Sequence, residues 1–266
     1  TGVVEPKSFL PQSDLMENPQ LNELNALFRE LELDGLAYGN EGKMYIGNNL
    51  IIKQNYDALN AFFREGVSNL IIGSIQSTSI DGDFEFPETA DSNARIIIMS
   101  ADQPSITKSS IITSRNSDLI ISSRADLALE DLQIDSGNLL ALRGLRDVDL
   151  TNVHLTAKDH AIIKARRDLS VNGLSFNSNI PNILMEATTV RLRNVDFPTF
   201  TNVRLNSLKG PLDGKYPNFG TSVSISDQIG RVNFMENVKV GGNLIMDRAN
   251  FDYFGGNVKI GTILSP

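Results

Sequence analysis

Two basic residues set 21 positions apart, Arg143 and Lys164, are the first candidates for chemistry in this 266-residue chain. If a 21-residue unit recurs as stacked strands, they stand about 5 Å apart on one face, with Arg124 and Arg166 close by. Such a strip can hold an anionic sugar. It can equally be a solvated strand face whose charges are met by Glu186 or Asp159. His160, in the turn Lys158-Asp159-His160, is a candidate base. Arg143, Lys164, Arg166, Asp159 and His160 are therefore the candidate binding residues, and no residue is assigned a catalytic role.

Asp126, Asp147 and Asp168 share the same 21-residue step. Stacked carboxylates can bind calcium, but Arg124, Arg146 and Arg167 lie beside them, so an interleaved ladder of opposite charges is the simpler expectation. His154 falls in an outward strand column with Gln133, Ser175 and Asp196. Two histidines and no cysteine leave a zinc ion without a third ligand in register. No phosphate-cradling loop occurs, and no Ser stands in a Gly-X-Ser-X-Gly setting. No metal and no cofactor are expected. Without Trp, the 13 Phe and 5 Tyr are the remaining stacking surfaces for a sugar.

The elements that position these residues follow from a repeat. ADLALEDLQIDS from Ala125, RDVDLTNVHLTA from Arg146, RDLSVNGLSFNS from Arg167 and TTVRLRNVDFPT from Thr188 align without gaps, each 21 residues after the last. Four columns are wholly apolar: Leu127/Val148/Leu169/Val190, Leu129/Leu150/Val171/Leu192, Leu132/Val153/Leu174/Val195 and Ile134/Leu155/Phe176/Phe197. Alternation by two, a skipped pair, then alternation by two describes two strands joined by a sharp bend, both facing inward. The second member of the skipped pair is Asp131, Asn152, Gly173 or Asn194, the types that accept positive φ cheaply.

A third strand carries Ile121, Leu142, Ile163 and Leu184 inward and Ser122, Arg143, Lys164 and Met185 outward, a column without a carboxylate. Three strands per turn give an all-β solenoid: a right-handed single-stranded parallel β-helix with coils of about 21 residues, regular over 118–199. A leucine-rich repeat would need Asn at Val153, and the hexapeptide rhythm of left-handed helices is absent.

Residues 1–66 read as an N-terminal cap with short strands and two amphipathic helices, 19–33 and 55–65. These share the strings LNALFRE and LNAFFRE and would pack over the open end of the solenoid. Residues 67–266 form the β-helix, with irregular early coils at 94–100 and 109–114, an irregular loop at 206–220 and terminal coils over 221–266. The net charge of −8 opposes nucleic acid. No run reaches 18 apolar residues, so no membrane insertion is expected. Opening at Thr1, without Met or a basic-then-apolar leader, fits a chain whose signal peptide has been removed.

The stretch NYDALNAFFREGVSNLIIGSIQSTSIDGDFEFP, the coils after it, and the Asn/Gly corner at 131, 152, 173 and 194 resemble the pectin-lyase-like right-handed parallel β-helix superfamily over residues 54–200. In enzymes of that superfamily, catalytic and calcium-binding groups project from the outer face of the first strand and its loops. The resemblance implies the fold but no activity. Compact coils and a carboxylate-free outward column point to a non-enzymatic exported bacterial protein of the cell surface or extracellular space. It would be structural or adhesive, with extracellular polysaccharide or other surface proteins as partners. The alternatives are a polysaccharide lyase or glycoside hydrolase, for which Arg143 or His160 would be essential, and a trimeric phage tailspike segment.

Overall fold

The computed structural model describes residues 9–37, 39, 42–53, 68–89, 94–177, 180–198, 201–206 and 230–264. It is all-β: among the described residues, 18 strands form one long, mostly parallel, solenoid-like array, in which Phe9–Pro11 runs antiparallel to Lys43–Lys53. The expected helix at 55–65 lies outside the described residues, as does the expected loop beyond Asn206.

Short strands stack along one side, among them Arg95–Ser100, Asp118–Ser123, Leu140–Gly144, His160–Ala165, Asn182–Glu186 and Asn202–Asn206. Beside this first stack runs a second stack of bent strands: Leu127–Ser136, Val148–Ala157, Asp168–Phe176 and Thr189–Phe197. Their apolar columns pair as expected, Leu127 to Val148 to Leu169 to Val190 and Leu132 to Val153 to Leu174 to Val195. The bend residues carry positive φ: 53° at Asp131, 51° at Asn152, 87° at Gly173 and 53° at Asn194. Two terminal coils follow. Gly230–Asp247 pairs Val232 with Val190 and Leu244 with Val203, and Ala249–Leu264 stacks upon it.

One strand departs from the expected register. Met185, not Leu184, continues the inward column from Ile163 to Leu205, a step of 22 residues. The segment Ile183-Leu184-Met185 is apolar at every position, so alternation gave no parity. The shift brings a carboxylate into the outward column, which reads Ser122, Arg143, Lys164, Glu186.

The helix also sits elsewhere than expected. Pro19–Leu21 is a 3-10 turn leading into an α-helix, Asn22–Leu33, here called α1, which buries Leu24, Leu27, Phe28 and Leu31. Rather than closing the end of the solenoid, α1 packs on the outer face of the first stack, against Ile71, Ile97, Ile120, Ala141, Ile162 and Leu184. Those strands are apolar on both faces and need cover on both. Each buried Leu or Phe stabilises the contact by about 1.5–3 kcal/mol. Gly73 belongs to the same face: a Cβ there would stand 2.6 Å from Ile46 Cδ1 and 3.2 Å from Leu24 Cδ1, so a larger residue would push those two side-chain ends aside where α1 comes close.

Candidate functional site

The face under α1 holds three of the five sequence candidates. Arg143 and Lys164 are buried, at 2% and 6% exposure, and do not form an open strip. Asp34, fully buried at the C-cap of α1, lies between them, its Oδ2 2.8 Å from Arg143 Nε and its Oδ1 2.8 Å from Lys164 Nζ. Arg143 and Arg166 donate to the two oxygens of Glu30, at 3.0 and 2.7 Å. Arg95 donates to the Gly35 carbonyl just past the helix and pairs with Asp118 at 2.9 Å. Burial pushes the Asp118 carboxyl up in spite of that partner. Asp159 and His160 pair with each other at 2.8 Å, at the other end of the strand from Lys164. Four residues of strand separate His160 from Lys164, about 13 Å. The five candidates are thus two groups, not one site.

Two carboxyls of this cluster shift in opposite directions. Burial raises the Glu30 pKa, but the guanidiniums of Arg143 and Arg166 outweigh it and hold Glu30 below the usual range. Burial pushes Glu186 up and Asp34 adds to the shift, while Lys164, 3.6 Å away, only opposes it. Glu186 Oε2 is buried with no hydrogen-bond partner. A carboxyl with a raised folded-state pKa weakens the fold when ionised. That cost vanishes as pH falls through the raised value, and is gone below the ordinary 4.5. Glu186→Gln is therefore expected to unfold at higher urea than the parent at pH 7, with the gap closing toward pH 4.5. Equal midpoints at pH 7 would contradict this.

The acidic column forms the expected charge ladder, with one partner exchanged. Arg146 pairs with Asp126 at 3.1 Å, Arg167 binds both oxygens of Asp147 at 3.1 and 2.8 Å, and Arg191 reaches Asp168 at 3.0 Å. Asp126 and Asp147 also accept the backbone N–H of Asp147 and Asp168 one coil on. Arg124 lies outside the ladder and pairs with Glu23 of α1 at 2.8 Å. No group of potential metal ligands assembles among the described residues.

A third feature is a groove of about 930 Å³ along the bend of the second stack. Side-chain amides of the bend residues link successive coils: Asn152 donates to Asp131 at 3.1 Å, Asn194 to Asn172 at 2.9 Å, Asn237 to Asn194 at 2.9 Å and Asn257 to Asn237 at 2.7 Å. The wall is the outward column of the strand after the bend, Gln133, His154, Ser175, Asp196, Lys239 and Lys259, in direct register. From Asp131 to Asn257 the floor runs six coils, about 24 Å at sheet spacing.

His154 Nδ1 lies 2.8 Å from Ser175 Oγ. The rung on the other side of His154 is Gln133, an amide that donates to Asp135 at 2.9 Å, so no carboxylate orients the imidazole from there. The neighbouring backbone N–H groups are engaged in the parallel ladder, which leaves no aimed pair for an oxyanion. The groove can hydrogen-bond a polar chain.

The sequence put His154 in this column but did not connect Lys239 and Lys259 to it. The signal was present: Asn194-Val195-Asp196-Phe197 returns as Asn237-Val238-Lys239-Val240 and Asn257-Val258-Lys259-Ile260. The step of 43 residues from Asn194 to Asn237 hid it.

Gly173 breaks the amide ladder, with Asn152 Oδ1 2.6 Å from where its Cβ would be. The backbone N and Cα of Asn152 stand 3.2 and 3.3 Å from the same point, and φ is 87°, wider than the 51–53° of the Asp and Asn corners. Gly173→Asn is therefore expected to lower the melting temperature, the strain outweighing the added ladder contacts. A higher melting temperature would mean that the corner narrows to the asparagine conformation and completes the ladder.

No protein-family model, no curated protein and no solved structure matches the chain.

Proposed function

We propose that the chain is a right-handed, single-stranded parallel β-helix of the pectin-lyase-like kind, acting without catalysis as a bacterial cell-surface or extracellular module. Its groove holds an extended polysaccharide. The observation that carries this reading is the groove itself: a polar wall continued through six coils, parallel to the stacking direction, over a floor of bend residues that is amide at Asn152, Asn194, Asn237 and Asn257. A trough of that length, edged by polar side chains over the apolar Leu132, Val153, Leu174 and Val195, suits a chain molecule better than a compact ligand. The right hand follows from the crossover sense of parallel strands.

The outer face of the first stack supports the non-catalytic part. There, where the resemblance puts catalytic groups, Arg143, Lys164 and Glu186 are buried and committed to α1 or to one another. Location outside the cell rests on the resemblance and is tested by fractionating cells that express the native gene.

The test of function is retention of the full chain on immobilised neutral and acidic polysaccharides, with assay for new reducing or unsaturated ends. Retention without new ends is expected. New ends would overturn the non-catalytic part, and no retention on any polysaccharide would overturn the binding part. The contact between His154 and Ser175 favours a second reading, glycan cleavage in the groove. It requires a turnover that His154→Ala abolishes.

A further inference from the structure

Lys239 and Lys259 occupy directly opposed positions on adjacent coils at one end of the groove. Both are exposed, and neither forms an ion pair among the described residues. Like charges opposed across strands repel. Where the chain stacks Arg143 on Lys164, it places Asp34 between them and Glu186 on the next rung. The ladder arginines are answered in the same way, Arg167 by Asp147 and Arg191 by Asp168. Asp196 is the rung next to Lys239, yet the two do not pair. In a chain of net charge −8, two stacked cations in a groove are left with their charge directed to solvent.

We propose that Lys239 and Lys259 form an anion subsite, so that the chain held in the groove is an acidic glycan whose carboxylate or sulfate group bridges the two ammonium groups. The inference rests on the groove's binding a polysaccharide and adds the sign, place and residues of recognition. Lysine ammonium groups act on an anion as point charges with three donors each, and they need no fixed approach geometry. Along the remainder of the groove, the amides of Asn237 and Asn194 meet hydroxyl groups, which both donate and accept.

Two other classes of chain fit less well. An extended peptide binds a sheet by pairing with a free edge; every strand in the groove wall between Gln133 and Lys239 is already paired on both sides, and a peptide added to the strand of Lys259 would run along that strand, across the groove and not along it. A single-stranded nucleic acid needs a run of aromatic stacking platforms, and among the described residues His154 is the one aromatic ring in the groove lining, far from the two lysines.

The test titrates the full chain calorimetrically with four probes, neutral dextran, dextran sulfate, polygalacturonate and an oligothymidylate, at two salt concentrations. Lys239→Gln/Lys259→Gln is compared with Lys158→Gln/Arg231→Gln, a double variant of equal net charge at exposed cations outside the groove lining. The proposal expects one or both acidic glycans to bind the parent more tightly than dextran, more weakly in high salt. It expects the groove variant to lose about tenfold or more in affinity, with the control unchanged. Preference between dextran sulfate and polygalacturonate tells sulfate from carboxylate. Equal loss in both variants overturns the subsite, because net charge alone would then be at work. Dextran bound as tightly as the acidic glycans also overturns it, while leaving the polysaccharide groove standing. Failure of every glycan to bind overturns both readings, as does capture of an oligothymidylate through these lysines with no glycan bound.

Discussion

Asp34→Ala is expected to destabilise the protein by about 3–5 kcal/mol, because it removes the carboxylate shared by two buried cations. Arg143 and Lys164 would then face each other across adjacent strands with Glu30 on one flank and Glu186 on the other. Burial still pushes the Glu186 carboxyl up, although the contribution of Asp34 is gone, so it compensates only in part. Urea unfolding at pH 7 measures the loss. A second effect is local: α1 is held to the first stack by the same carboxylate, and its release exposes Leu24, Leu27, Phe28 and Leu31. Faster amide exchange over residues 22–33 than over the coils should accompany the loss. Asp34→Asn keeps an oxygen acceptor for one partner and should cost less. Replacing the buried group together, Asp34→Leu with Arg143→Met, Lys164→Met and Glu186→Gln, should recover much of the loss, since buried charges repay little beyond their own desolvation. A loss under about 1 kcal/mol for Asp34→Ala would mean that water reaches the cations.

How much of this was legible depended on whether a position alternates. Where polar and apolar residues alternate, as from Leu127 to Ile134, period and register could be read from the residues alone. Where both faces are apolar, as in Ile183-Leu184-Met185, one residue of slip has no signature, and the 21-residue step sets Met185 in the outward column where Glu186 stands. The docking of α1 was written in a different pattern. Glu30, Glu32 and Asp34 crowd its C-terminal turn, which has no basic residue, although a helix C-terminus disfavours negative charge. Arg143, Lys164 and Arg166 supply the missing cations from the strand face. Three acids at the wrong end of a helix and unexplained cations at a fixed repeat were each visible. Their pairing spans 109 to 136 residues of sequence, and nothing local ties the two together. The groove was legible in its middle, through the Asn corner and His154, and lost at its cationic end, where the coil step doubles.

Asn194→Val should cost about 2–4 kcal/mol, the sum of a strained backbone and two lost amide contacts. Asn194 sits at φ 53°, where a β-branched side chain crowds its own backbone. It also donates to Asn172 at 2.9 Å and accepts from Asn237 at 2.9 Å, so it is the rung that carries the ladder from the regular coils to the terminal ones. The two contributions separate by comparison. Asn194→Gly keeps the left-handed conformation and loses only the amide contacts, about 1 kcal/mol for an exposed pair. The difference between the variants is then the backbone strain. Unfolding the three proteins in urea gives both numbers, and a valine variant no weaker than the glycine variant would mean that the bend relaxes out of positive φ. Because Asn194 and Asn237 floor the groove beside Asp196 and Lys239, the valine variant should also weaken any glycan held there. Asn152→Gly, at the far end of the groove from the lysines, should spare the charge-dependent part of that binding while still losing its own rung.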